Sequence, residues 1–300
     1  MGHRPLRAAT RGSTLALAQA RQVASLLDQP VELVVVETVG DRRQDVPIWD
    51  IGGRGVFVKE VEAAVLDGRA DFAVHSAKDL PADMPGGLVL ACVPEREDPR
   101  DALVGSTLDG LPVGGRVATG SVRRRAQLAA LRPDLTFSGL RGNIETRLRR
   151  AGAFDAIVVA AAALARLGRT GEAAELLDPT RVLPQVGQGA LALEAREGDT
   201  AVLAALAALE HAPSRLAVDA ERAYLRELGG GCDLPVAAHA RVGAGGDITL
   251  TAMLATLDGH IVIEFTGSGH DPEELGRSVA RRLLDRSGGA WLLESLRGLA

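Results

Sequence analysis

Three kinds of residue in this chain can carry chemistry. The first is a thiol. Residues 228 to 235 read Leu-Gly-Gly-Gly-Cys-Asp-Leu-Pro, so Cys232 follows three glycines and a proline comes three positions later. Glycine reaches backbone angles closed to other residues and removes side chains that would cover a neighbour. That suits a reactive sulfur left uncovered on a tight loop. It also suits a helix C-cap followed by a small apolar residue, and free cysteines are usually buried and inert. The second is a carboxylate beside an amine. A short apolar strand over 71–76 runs into His75-Ser76-Ala77-Lys78-Asp79-Leu80-Pro81. Ligands of open α/β sheets bind at the carboxyl ends of strands. There Asp79 can act as general acid or base, or anchor a developing cation, and Lys78 can bind an anion. The third is a set of arginines. Thr119-Gly120-Ser121 opens a helix over 122–131 that carries Arg123, Arg124 and Arg125. Hydroxyls and backbone N–H groups at a helix start, next to arginine, bind anions. Successive helical residues point in different directions, so Arg123 and Arg124 are the better ligands and Arg125 is a surface or packing residue.

The elements that must position these groups alternate in an α/β manner. Ser13 caps a helix through Leu27, with Arg11 just before it, and a β-branched run over 31–38 reads as a buried strand. A long Gly- and charge-rich loop over 40–55 reads as a functional lid. A helix over 57–66 ends at Gly68. Strands are expected at 88–93, 116–118, 135–138 and 155–160. Arg141 and Arg147 flank the start of one helix, and Arg166 lies near the end of another before Gly168. Cys92 sits inside an apolar strand and reads as a buried hydrophobe. The charged turn 96–101 and the stretch Leu183 to Ala190 read as crossings or hinges. A helix over 200–210 and another, capped by Ser214 and running through Leu228, lead to the cysteine loop. Strands over 236–242, 248–256 and 260–266 and a helix over 272–285 then form a small α+β unit.

Composition narrows the function. The 300 residues carry a formal net charge of -5 with 3% aromatics, which argues against a nucleic-acid binder. Lysine occurs only at Lys59 and Lys78, and every other basic residue is arginine. Two cysteines are too few for a disulfide framework, so a reducing, cytoplasmic compartment is expected. No apolar run approaches a membrane span, and the first ten residues lack the core of a signal peptide. No Cys/His cluster has metal-ligand spacing, so no metal is expected. Repeated arginines point to a ligand with many carboxylates or phosphates.

The order of the motifs is more specific than any one of them. Thr10-Arg11-Gly12-Ser13, the 52–60 segment, His75 to Pro81, Arg96 to Asp101, Thr119 to Arg124, Arg141-Gly142-Asn143, Gly187-Gln188-Gly189-Ala190 and Gly230-Gly231-Cys232 occur in one register. Together, from about Leu6 to the C-terminal helix, they resemble the porphobilinogen deaminase (hydroxymethylbilane synthase) family. The resemblance implies an α/β fold of three domains, at 1–95 with 190–208, 96–189, and 209–300. The first two would be like type II periplasmic binding proteins, with the active site in the cleft between them. The third would be a small α+β domain with a three-stranded antiparallel sheet. The resemblance further implies a transferase of tetrapyrrole, porphyrin and haem biosynthesis. It would join four porphobilinogen molecules head to tail, release ammonia each time, and finally free linear hydroxymethylbilane. A dipyrromethane cofactor would be held by a thioether to Cys232. Asp79 would be the catalytic carboxylate. Lys78, Asp79, Ser76, Thr119, Ser121, Arg123, Arg124 and Arg147 would bind the cofactor. Arg11, Ser13, Arg141 and Arg166 would bind substrate. The family suggests a monomer without nucleic-acid or membrane partners.

The chain departs from the family pattern at Arg54, where lysine is common, at Asp233, where a neutral residue is common, and at Ala163, which replaces a frequent glycine. A carboxylate at 233 disfavours an ionised neighbouring sulfur but leaves the nucleophile in place. The rival reading is a non-catalytic polycarboxylate-binding protein, since fold does not fix function. A pure binder needs neither Cys232 nor Asp79.

Overall fold

The computed structural model describes residues 4–42, 55, 57–229, 234–286 and 288–298. Cys232, Asp233, Arg54 and most of the expected lid over 40–55 lie outside the described residues. The chain divides into two compact units, Met1–Glu97 with Ala190–Arg215, and Asp98–Gly189 with Leu216–Ala300.

In the first unit the strands are β1 (Leu6–Arg11), β2 (Val31–Val36), β3 (Phe72–Ser76), β4 (Leu88–Cys92) and, returning late in the chain, β10 (Leu191–Arg196). They form a mixed sheet of order β2-β1-β3-β10-β4, in which β1 runs parallel to β2 and β3, and β10 runs antiparallel to β3 and β4. Alternation divides the side chains between two faces. Leu6, Ala8, Phe72, Val74, Leu191 and Leu193 pack on helices α1 (Thr14–Leu26) and α7 (Thr200–Ala207). Ala9, Val36, Ala73 and Leu88 pack on α3 (Lys59–Leu66) through Val61, Ala64 and Val65. A one-turn helix α2 (Val39–Arg42) opens the stretch expected as a lid. Gly68 ends α3 at φ +73°, as its position after the apolar run predicts.

At the amino end of β3 the buried Asp71 receives a bidentate pair from Arg4 at 2.8 and 2.9 Å and the Arg7 amide at 2.8 Å. Burial pushes this carboxyl up, but the hydrogen bonds from Arg4 and Arg7 outweigh it and hold the group well below the usual carboxylate range. A depressed carboxyl contributes stability that is present above its unfolded value and lost as pH falls. Asp71→Asn is therefore expected to lower the urea midpoint at neutral pH, with the gap to wild type narrowing below about pH 4. A gap that is constant from neutral to acid pH contradicts this.

The second unit holds two sheets. One has the order β7-β6-β8-β5-β9, built from β5 (Asp101–Val104), β6 (Arg116–Ala118), β7 (Thr136–Ser138), β8 (Ala156–Ala160) and β9 (Glu175–Leu176). Here β7, β6 and β8 are parallel, and β5 runs antiparallel to β8 and β9. Helices α4 (Val122–Leu131), α5 (Ile144–Arg149) and α6 (Ala161–Arg166) follow β6, β7 and β8 in turn. The other sheet is antiparallel, β11 (Val236–Val242), β12 (Ile248–Ala255) and β13 (Val262–Gly269). Helices α8 (Ala212–Glu227) and α9 (Pro272–Arg286) accompany it, and α10 (Gly289–Gly298) closes the described chain. The fully buried Tyr224 of α8 donates to the Met253 carbonyl at 2.9 Å. Ala126 of α4 and Leu183 pack with Ala237, Met253 and Ala255 of the antiparallel sheet.

The architecture of two mixed α/β sheets and a three-stranded antiparallel sheet agrees with expectation. Four local readings change. β2 is half exposed because it forms the sheet edge, where a buried strand was expected. Asp101–Val104 is a fully buried strand that begins inside the expected charged turn. Leu191–Arg196 is a central strand, where no element was read beyond the hinge or crossing over 183–190. Ser214 is not a cap, because α8 starts two residues earlier and the Ser214 hydroxyl instead accepts the Arg96 amide at 2.9 Å. Cys92 is sealed in β4, as expected, and burial together with the Glu210 carboxylate pushes its thiol up to about 12. Among the described residues no single helix is long and apolar enough to cross a membrane.

Candidate active site

In each unit the described candidate site residues fall in the loops and helices that follow parallel strands. In the first unit, β1 ends at Arg11, and the Arg11 guanidinium stacks 4.1 Å from the centroid of the Phe57 ring. Ser13 follows and caps α1, its Oγ accepting the Ala16 amide at 3.3 Å. β3 ends at Ser76 and passes directly into a single 3-10 turn, Ala77–Asp79, which presents the half-buried Lys78 and Asp79. The Ser76 hydroxyl accepts from Gln19 Nε2 of α1 at 2.8 Å. The Ala77 amide donates to the Ala190 carbonyl at 3.0 Å.

In the second unit, Thr119 and Ser121 follow β6, Arg141 follows β7 with Arg147 inside α5, and Arg166 is the last residue of α6, the helix after β8. The loop after β6 lies against the loop after β7. A Cβ at Gly120 would sit 2.7 Å from the Leu140 carbonyl oxygen, so only glycine fits there. Thr119 Oγ1 accepts the Ser121 amide at 3.1 Å, and Ser121 Oγ caps α4 by accepting the Arg124 amide at 3.4 Å. A hydroxyl that accepts an N–H keeps its own proton to donate to an anion. Asn143 caps α5. Arg147 Nε donates to the Gly142 carbonyl at 2.9 Å, and Arg166 Nη2 donates to the Gly189 carbonyl at 2.7 Å. Arg125 is exposed, as its place on the helix predicts.

Arg123 and Arg124 have a partner that the motif did not reveal. Both are buried, at 2% and 5% exposure, around the fully buried Asp101 of β5. Arg124 donates through Nε and Nη2 to Asp101 Oδ1 at 2.9 and 2.8 Å, and through Nη1 to the Val158 carbonyl at 3.0 Å. Arg123 Nη1 lies 2.7 Å from Asp101 Oδ2, a close charge contact off the hydrogen-bonding angle, and donates to the Leu183 carbonyl at 2.6 Å. Burial acts to raise the Asp101 carboxyl. The charges of Arg123 and Arg124 reverse this and hold it well below the ordinary range. Gln188 closes the cluster by donating to Asp101 Oδ1 at 2.7 Å and to the Pro99 carbonyl at 2.8 Å.

The stretch read as a hinge is therefore hydrogen-bonded at three consecutive residues. The Gly187 amide donates to Glu221 Oε2 at 2.7 Å, Gln188 binds Asp101, and the Gly189 carbonyl accepts from Arg166. Gly187 and Gly189 sit at φ +70° and +88°, angles that require glycine. Asp101 and Gln188 were missed as site residues. The available signal for Asp101 was a lone carboxylate at the start of the apolar run Ala-Leu-Val, a place where burial demands a cationic partner.

Family models match the chain over both units. The model described as "Porphobilinogen deaminase, dipyromethane cofactor binding domain" matches residues 6–204, and "Porphobilinogen deaminase, C-terminal domain" matches residues 215–285. The chain belongs to the porphobilinogen deaminase family. Porphobilinogen deaminase activity and the dipyrromethane cofactor come with that membership. The porphobilinogen deaminase of Brevibacillus brevis is 47% identical over 298 residues, covering 96% of this chain and 96% of its own length. That of Syntrophus aciditrophicus is 48% identical over 299 residues, covering 96% and 97%. Among solved structures, a TRAP periplasmic solute binding protein from Desulfovibrio salexigens is 11% identical with a TM-score of 0.40, covering 69% of this chain and 72% of its own. A likeness of that degree carries no argument about this chain.

The donor set fits a dipyrromethane. Each of its pyrroles bears an acetate and a propionate, and each unit by itself offers donors for such groups, guanidinium, ammonium and hydroxyl in the first and guanidinium, hydroxyl and helix-start amide in the second. Asp79 is the carboxylate of the Ser76–Asp79 turn.

Proposed function

We propose that this chain uses Asp79 as the catalytic carboxylate of hydroxymethylbilane synthesis, on a dipyrromethane held as a thioether by Cys232. The observation that supports it best is the family match spanning both units, with the Lys78–Asp79 turn placed at the carboxyl end of a parallel strand. When bound, the dipyrromethane would supply the pyrrole carbon onto which the first substrate is joined, each later one joining the pyrrole before it. Lys78, Ser76, Thr119, Ser121, Arg123, Arg124 and Arg147 would hold its acid groups. Arg123 and Arg124 would do so mainly by the positive field around α4, because Asp101 takes much of their hydrogen bonding. Arg11, Ser13, Arg141 and Arg166 would hold the acetate and propionate of incoming porphobilinogen. The Asp79 carboxylate would sit by the substrate pyrrole N–H, balance the positive charge left as ammonia departs, and help move the proton released on bond formation.

The domain division we favour is 1–95 with 190–208, 96–189, and 209–300, because each part then contains one whole sheet. We also assign the protein to the cytoplasm, in line with its two cysteines, and to a monomeric state, in line with its family.

Intact mass tests the proposal. Purified protein is expected to carry two linked pyrrole units, and Cys232→Ser is expected to carry none and to form no hydroxymethylbilane. A wild-type protein that stays unmodified after exposure to porphobilinogen rejects the tether, and the same adduct on Cys232→Ser rejects Cys232 as its site.

A further inference from the structure

Behind the Lys78–Asp79 turn lie three buried ionisable side chains from three elements. They are Glu62 of α3, His75 of β3 and Glu194 of β10, at 7%, 5% and 0% exposure. His75 Nε2 lies 2.9 Å from Glu194 Oε2, close but not aligned as a hydrogen bond. Both Glu194 oxygens and Glu62 Oε1 are buried acceptors without a hydrogen-bond donor among the described residues. Burial, then the charge of Glu194, pushes the Glu62 carboxyl up to about 7, against the opposing pull of His75 and Lys59.

Stability does not account for this cluster. The face it occupies is otherwise lined by Ala9, Val61, Val65, Ala73 and Leu88. A buried charge pair is seldom more stable than well-packed apolar residues of similar volume. Location gives a better account. His75 immediately precedes Ser76, and its side chain leaves the sheet on the face opposite to that of Ser76. The end of β3 is thus held from three directions. Gln19 grips Ser76 from the α1 face, Glu194 meets His75 on the α3 face, and Ala190 receives the Ala77 amide in the plane of the sheet. The next two residues along the chain are Lys78 and Asp79.

We propose that His75, Glu194 and Glu62 form a positioning triad for the Ser76–Asp79 turn, a role that rests on the catalytic reading of Asp79. The triad touches neither substrate nor cofactor. It fixes the direction in which the strand end delivers the carboxylate, so it acts on turnover rather than on substrate affinity. A misplacement of about 1 Å at a reacting group costs on the order of 100-fold in rate.

Two variants test this, Glu194→Gln and the apolar double variant His75→Leu/Glu194→Leu. Melting temperature, kcat and KM for porphobilinogen, and the backbone amide NMR shifts of Lys78 and Asp79 are compared with wild type. The double variant is expected to melt at or above the wild-type temperature, because the apolar pair removes buried charge. In both variants kcat is expected to fall about 10- to 100-fold with KM within about threefold, and the two amides are expected to shift. Wild-type kcat in a folded double variant, or unshifted Lys78 and Asp79 amides, overturns the triad. If wild-type protein itself consumes no porphobilinogen, the proposed function fails, and the amide shifts alone still judge the triad.

Discussion

Asp79→Asn is expected to lower kcat by about 10³-fold while the protein remains folded, with KM nearly unchanged. Asparagine matches aspartate in shape, so the 3-10 turn after β3 has no steric reason to move. It removes the charge that balances a developing cation, and it cannot accept the proton that carbon–carbon bond formation releases. Both losses bear on the transition state more than on the bound substrate, which is why kcat should carry the effect. Ammonia release in a single turnover on cofactor-loaded protein is the direct measurement. Normal release in Asp79→Asn would remove this residue from the mechanism.

Asp101→Asn is expected to give the largest loss of stability, about 3–5 kcal/mol, because breaking a buried charge cluster on one side leaves the other side uncompensated. Two guanidinium groups at 2% and 5% exposure would then share no counter-charge from β5. Asparagine keeps the volume, so the effect isolates charge from packing. Urea denaturation reads the loss directly. The triple variant Arg123→Met/Arg124→Met/Asp101→Leu is expected to recover most of it, since uncharged side chains need no counter-ion there. A loss below about 1 kcal/mol in Asp101→Asn would show that Arg123 and Arg124 are balanced by something other than Asp101.

What could be read from the sequence was local. Ser13 marks a helix start because a cap and its amide lie within three residues, and it caps as expected; Ser121 and Asn143, read only as the residues before a helix, cap in the same way. The parallel strands β3, β6 and β8 announce themselves by short apolar runs, whereas β1, with Arg7, Thr10 and Arg11 among its six residues, was not read. Hidden features all depend on distant pairing. Leu-Ala-Leu-Glu-Ala-Arg over 191–196 is rich in helix formers, yet it becomes β10 because β3 and β4 supply hydrogen bonds on both sides. Asp101 meets Arg124 only after β5 aligns antiparallel to β8. His75 and Glu194 stand 119 positions apart, and only the register of β10 on β3 brings them onto one face. Among the site residues, those on strand-end loops were legible from their motifs. The groups that brace them from behind were not, because a bracing group needs no motif, only a partner delivered by the fold.

The burial of Cys92 has a practical corollary. The chain contains two sulfhydryl-bearing residues, and one of them is enclosed in β4 with its thiol pushed up to about 12. Under native conditions Cys92 is expected to be silent toward alkylating reagents, because the thiolate is the nucleophile that attacks them. With Cys232 as the proposed tether, reagent uptake by the folded protein would report on Cys232, and the molar stoichiometry of labelling would gauge how many molecules in a preparation still lack the prosthetic group.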